Sequence, residues 1–278
     1  FQGCENNKLK NPRLSTSFNS NWKFSQDFDK SFYSVDFDDS QWRNLDLPHD
    51  WAIEGPFDEE VSYKGGYLPY PGKGWYRKSF FVPLGTNNMT IEFDGIMRNS
   101  KIWLNGNYIG GWPYGYTSFA LDITDKIKRG EDNLIAVSVE NQDNSSRWYP
   151  GSGIYRNVWL IQTHPVHVDH WGTFITTPAV TEDYAEVSIM AKIKNTQSED
   201  VNIELKTLIM DSEGKMVAMK KTASQKIIGQ GELEISQQLN VTNPEFWGLE
   251  SPKLYQAISE VYQAVSYTHL RAHETSLH

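Results

Sequence analysis

Along most of this chain apolar and polar residues alternate with a period of two, and helical spacing is nearly absent. Such alternation puts every second side chain on one face, which is the pattern of a half-buried strand. Residues 90–94 (TIEFD) set Ile91 and Phe93 on one face. Residues 101–104 (KIWL) run into Asn105-Gly106 and then a second short apolar run through Tyr108 and Ile109. Both residues of an Asn-Gly pair tolerate positive φ, so a tight hairpin is predicted there. Further strands are predicted at 133–140 (NLIAVSVE) and 157–162 (NVWLIQ). Short strands at this spacing predict an all-β antiparallel sandwich or jelly roll.

The pattern changes near His164-Pro165, and beyond it the alternation becomes cleaner. Val187, Ile189, Ala191 and Ile193 share a face, then Val201, Ile203, Leu205 and Ile209. A turn at 211–214 follows, then Leu233, Ile235 and Leu239. About 90 residues of half-buried strands fit a small immunoglobulin-like β-sandwich. Four segments are therefore expected: a tail at 1–14, one domain at 15–165, a second at 166–264, and residues 265–278. The last segment includes three of the seven histidines and continues no strand pattern. It reads as a non-native tail outside the fold.

Composition narrows the function. Basic residues number 26 against 35 acidic ones, a net charge of −9. No basic run appears, so nucleic acid is not an expected partner. No stretch approaches the ~18 apolar residues of a membrane-spanning helix. Cys4 is the single cysteine, which excludes an internal disulfide framework and a Cys-based zinc site. The sequence around it, Gly3-Cys4 followed by Glu5-Asn6-Asn7, is similar to the end of a bacterial lipoprotein signal. That implies a periplasmic or cell-surface protein, lipid-anchored through Cys4. A stray cysteine in a frayed terminus is the alternative.

Aromatics make up 13% of the chain, and nine of the ten tryptophans lie at or before Trp171. Flat rings stack on sugar faces, but large β-cores use aromatics too. Residues 65–80 (GGYLPYPGKGWYRKSF) offer Tyr67, Tyr70 and Trp75 either as stacking platforms or as loop packing. Residues 144–160 (NSSRWYPGSGIYRNVWL) crowd Arg147, Trp148, Tyr149, Tyr155, Arg156 and Trp159 around a Pro-Gly-Ser-Gly turn.

Catalytic chemistry is hard to find. His164, His167, His170 and Asp169 invite a metal reading, but on a strand His167 faces away from the other two histidines. No metal and no cofactor are expected. His49 and Asp50 in LPHDW (47–51) are adjacent on an extended segment and point to opposite sides, so a shared proton is unfavourable. A loop latch, with Asp50 capping backbone amides and Trp51 buried, fits the spacing better. Asp58, Glu59 and Glu60 read as a solvated loop, and no Gly-x-Ser-x-Gly, His-Glu-x-x-His or P-loop motif occurs. No catalytic residue is therefore nominated.

Seven stretches in order resemble the N-terminal sugar-binding jelly roll of glycoside hydrolase family 2. They are LPHDW (47–51), GWYRKSF (74–80), FDGI (93–96), WLNG (103–106), GYTSFALDIT (115–124), NLIAVSV (133–139) and RWYPGSGIYRNVWL (147–160). Residues 166–262 resemble the immunoglobulin-like domain that follows it, with FWGLESPKLY (246–255) similar to its last strands. The resemblance covers about residues 15–263. LPHDWAIEGPF (47–57) and GGYLPYPGKGWY (65–76) look most like β-galactosidases, while β-glucuronidases and β-mannosidases share the architecture.

The resemblance implies a retaining exo-glycosidase acting on terminal β-galactosides by the two-carboxylate mechanism. In the family both glutamates lie on a TIM barrel after the second domain. This chain contains neither the Asn-Glu signature of that barrel nor a His-Tyr-Pro, so it is expected to be inactive alone. The jelly roll of such enzymes lends loop residues to the terminal-sugar subsite. That nominates Arg147 and Trp148 to face sugar, with His49 and Asp50 as further candidates, while Asn144, Ser145 and Ser146 occupy the polar stretch just upstream. Ile154, Tyr155 and Arg156 read as residues that fix the loop. A homo-oligomer is compatible with this reading. A stand-alone carbohydrate-binding module and a purely structural domain pair remain open.

Overall fold

A computed structural model of the chain describes residues 13–27, 29–55, 72–142 and 151–263, and the backbone of 271–277. The chain divides into two compact units, residues 15–162 and residues 163–278 with 1–14. Both are β-structures, as the alternation predicts.

The first unit holds β1 (Arg13–Ser17), β2 (Trp22–Ser25), β3 (Arg43–Leu45), a 3₁₀ turn at Trp51–Glu54, β4 (Gly72–Val82), β5 (Asn88–Phe93), β6 (Ser100–Leu104), β7 (Asn107–Trp112), β8 (Phe119–Asp122), β9 (Glu131–Asn141) and β10 (Val158–Thr163). They form a four-stranded sheet, β1-β10-β5-β8, and a six-stranded one, β3-β2-β4-β9-β6-β7. The core between them includes Trp22, Tyr76, Ile91, Phe93, Ile102 and Val137. Strand β5 alternates without a break, with Met89, Ile91 and Phe93 buried. Leu104 pairs with Asn107 across Asn105 (φ 51°) and Gly106 (φ 80°), so the hairpin turns where the Asn-Gly pair requires.

Strand β4 breaks the rule. Gly74, Trp75, Tyr76 and Arg77 are all buried in succession. Tyr76 enters the main core, while Trp75 joins a second, smaller cluster with Phe32, Ala136, Phe37, Trp42 and Trp103. The segment between β2 and β3 carries Phe32, Phe37 and Trp42 onto the sheet's other face, so β4 is covered on both sides. Trp75 is thus a packing residue, and its ring is not available to stack on a sugar.

The second unit holds β11 (Val166–Val180), β12 (Tyr184–Asn195), β13 (Val201–Met210), β14 (Met216–Lys221), β15 (Gln225–Ile227), β16 (Glu232–Thr242), β17 (Gln256–Gln263) and β18 (Arg271–Leu277). Strands β11-β12-β16 form one sheet and β14-β13-β17-β18 the other, with β15 also on β13. In β12 and β16 every second residue is buried, as half-buried strands require. Strand β18, in a segment expected to lie outside the fold, pairs with β17 from Tyr262↔Arg271 to Gln256↔Leu277. The backbone of β17 offers its open edge as a template whatever the side chains are.

Strand β11 is long but irregular: its register shifts between Val168 and Thr173, and Trp171 takes φ 51°. Of the nearby histidines, only His170 falls within that irregularity. His167 is buried, and burial pulls its pKa down to about 4, so the ring is neutral near pH 7. Among the described residues no group of three or more metal-binding side chains is placed to hold an ion. None of their helices is long and apolar enough to cross a membrane.

Candidate functional site

Two of the nominated residues, His49 and Asp50, are described, whereas Arg147 and Trp148 lie outside the described residues. So do Cys4, the Asn144–Ser146 stretch, the acidic group at 58–60, and Tyr67 and Tyr70. The site is therefore built from the segments that flank residues 143–150.

LPHDW and the Gly-Ser-Gly-Ile stretch lie side by side. The His49 amide donates to the Ile154 carbonyl (2.8 Å) and the Trp51 amide to the Ser152 carbonyl (2.9 Å). On its other side, Gly153 exchanges both backbone hydrogen bonds with Met97, at 2.8 and 2.9 Å. Residues 152–154 are thus clamped between two neighbours, like a short central strand.

Asp50 caps the 3₁₀ turn. Its Oδ1 accepts from the Ala52 amide (2.9 Å) and from the Ser152 amide (2.7 Å), tying the two segments together. Burial raises its carboxyl above the usual range, partly offset by those amide bonds. Asn141 adds bonds from Nδ2 to the Gly151 carbonyl (3.0 Å) and to Ser152 Oγ (2.8 Å). With Trp51 buried beneath, this is the geometry of a loop latch.

His49 uses both ring nitrogens internally and is 8% exposed. Nδ1 lies 2.7 Å from Tyr76 Oη and Nε2 lies 3.1 Å from Glu54 Oε1. Burial lowers its pKa, against the opposing pull of Glu54, so the ring is neutral near pH 7. The proton then belongs on Nε2, donating to Glu54, and Tyr76 Oη donates to Nδ1. Tyr76 Oη in turn accepts from the Ile154 amide at 3.4 Å. At the surface end, Arg43 grips Glu54 with two hydrogen bonds, 2.8 and 2.7 Å, which hold that carboxyl below its ordinary range. Arg43, Glu54 and Tyr76 were not nominated from the sequence. Their partners lie 5 to 78 positions away, and no residue pattern in the sequence marks them.

Downstream, Ile154 is buried in the core. Tyr155 Oη donates to the Gly115 carbonyl (2.8 Å), and Arg156 Nη1 donates to the Asp94 carbonyl (3.3 Å). Trp159 Nε1 donates to Asp94 Oδ2 (3.1 Å). Those residues fasten the segment to the sandwich. The latch fixes a loop base. In the second unit a cavity of about 560 Å³ is lined by residues such as Phe174, Val187, Ile209, Val241 and Tyr255, with no carboxylate or histidine among the described residues of its wall.

Comparison with known proteins gives these segments a context. Residues 16–165 match the family described as glycosyl hydrolases family 2, sugar binding domain, and residues 166–271 match glycosyl hydrolases family 2. The chain is 40% identical over 263 residues to beta-galactosidase BoGH2A of Bacteroides ovatus, covering 93% of this chain and 31% of that protein. It is 39% identical over 254 residues to a putative beta-glucuronidase of Formosa agariphila, covering 90% of this chain and 24% of that protein. A crystal structure of a family 2 member from Bacteroides cellulosilyticus superposes with a TM-score of 0.88 at 36% identity, over 95% of this chain and 35% of the other. The chain thus spans about a third or less of the length of these proteins.

Proposed function

Because the chain belongs to glycoside hydrolase family 2, we propose that it is the N-terminal, non-catalytic part of a retaining exo-glycosidase that removes terminal β-galactosides. The observation that carries this reading is the 40% identity to a β-galactosidase over 93% of the chain, both units included. The nearly equal identity to a putative β-glucuronidase makes β-glucuronides the second reading. In this proposal the catalytic carboxylates belong to the part of the relatives that this chain does not span. The first unit contributes sugar contacts from Arg147 and Trp148, which lie shortly before the clamped residues 152–154 in sequence. A rigid base supports that role, since contacts to a transition state lose value when their supports move. His49 and Asp50 act through the loop, as positioning residues. A cell-surface or periplasmic location with a lipid on Cys4 belongs to the same proposal.

The test uses para-nitrophenyl β-galactoside and β-glucuronide. The 278-residue chain is expected to turn over neither. The protein extended through its downstream coding region is expected to hydrolyse the galactoside with the higher kcat/KM. In that enzyme Arg147→Ala and Trp148→Ala should each lower kcat/KM by about ten- to a hundredfold, the value of one or two substrate contacts. Turnover by the 278-residue chain alone, or unchanged kinetics in both variants, would overturn the reading.

A further inference from the structure

We propose that the aromatic turn joining β7 to β8 is a second carbohydrate-contact surface, taking a neutral pyranose ring of a β-linked oligosaccharide against Tyr114 and Tyr116. This deepens the reading above, on which it rests for the class of ligand.

The turn spends large rings at the surface. Trp112 is 40% exposed and Tyr114 is 56% exposed. Tyr114 and Tyr116 stand edge to face, with centroids 5.5 Å apart and planes at 60°, so they form a corner of two faces. A pyranose has an apolar C–H face, and the tyrosine ring offers an apolar face on which it can stack.

The corner is held rigidly. Trp112 Nε1 donates to Thr117 Oγ1 (3.0 Å), and the Asn99 amide donates to the Pro113 carbonyl (3.3 Å). Gly115 is pressed so closely on Met97 that a Cβ there would lie 2.3 Å from its sulfur. Tyr155 ties its hydroxyl to the Gly115 carbonyl, and its ring packs within 3.0 Å of where a Cβ on Gly95 would stand. A turn whose backbone is fixed before binding loses little conformational freedom when a ligand arrives.

Position supports the same conclusion. Tyr155 directly follows the clamped residues 152–154, so the segment that comes after the candidate sugar loop in sequence also fastens this turn. A turn serving only to cap the sandwich would bury Trp112 and Tyr114, as Phe119 of β8 is buried, whereas here only Tyr116 is half-buried.

The test titrates β-1,4-galactotetraose and galactose separately into the 278-residue chain, followed by tryptophan fluorescence and saturation-transfer NMR. The tetrasaccharide is expected to saturate and to bind more tightly than the monosaccharide. Tyr114→Ala and Tyr116→Ala should each weaken it by about fivefold, the value of one ring contact. Tyr114→Phe and Tyr116→Phe keep the ring and should bind like the parent, which separates lost stacking from lost folding. Absence of saturation in the parent, or alanine variants that titrate like it, would overturn the proposal. Failure of the glycosidase reading shows separately, in the turnover of the extended enzyme, which this titration does not use.

Discussion

Gly153→Ala is expected to destabilise the first unit by about 3 kcal/mol, the upper end of what substitutions that force atoms into a filled core typically cost. Gly153 has φ 132°, a conformation L side chains rarely adopt. A Cβ there would stand 2.4 Å from Tyr76 Oη and 2.5 Å from the His49 carbonyl oxygen. Neither neighbour can yield cheaply, because Tyr76 is fully buried and the His49 oxygen is backbone. Any shift also strains both backbone bonds to Met97 and the hydrogen bond between His49 and Tyr76. Gly214 makes the control: it too has positive φ (77°), but nothing lies within 4 Å of its Cβ position. Gly214→Ala should therefore cost only about 1 kcal/mol of conformational strain. Urea unfolding, followed separately for the two units, measures both. Equal losses for the two variants would show that residues 152–154 are not clamped as described.

Much of the architecture was legible from alternation alone. The buried faces of β5, β12 and β16 follow from period two, and the β6–β7 hairpin follows from two residues that accept positive φ. Local pattern fails where a strand meets a partner distant in sequence. Trp75 and Arg77 lie on the face of β4 that alternation assigns to solvent, and only the folded segment between β2 and β3 covers them. The irregularity around Trp171 was not legible for a similar reason, since register is set by the neighbouring strand. At the site, the Asp50 cap was readable because an N-cap is local. The path from Glu54 through His49 to Tyr76 was not, because tertiary pairing sets each partner. Family resemblance, not spacing, nominated Arg147 and Trp148 to face sugar.

Asp39→Ala should be the other severe change, costing about 3 kcal/mol by stranding a buried cation. Arg77 is 2% exposed, and its Nε donates to Asp39 Oδ2 at 2.7 Å. Its remaining donors reach the carbonyls of Phe32, Ser34 and Phe37, so one guanidinium fastens the segment that covers the outer sheet face. Lys23 Nζ meets Asp39 Oδ1 at 2.6 Å from the other side. Arg77→Met should cost less, about 2 kcal/mol, because Asp39 keeps Lys23 and methionine fills part of the space. The pH dependence gives a signature that packing alone would not. Burial pushes the Asp39 carboxyl upward, but hydrogen bonds from Lys23 and Arg77 outweigh it and hold the pKa below the ordinary value. A depressed folded pKa stabilises the protein above the unfolded-state pKa of about 4 and loses that contribution as pH falls through the folded value. The stability difference between the parent and Asp39→Asn should therefore be full near neutrality and shrink below about pH 4. Denaturant titrations across that range measure it. A difference that stayed constant into the acid limb would mean the carboxylate's charge does not hold the cover in place.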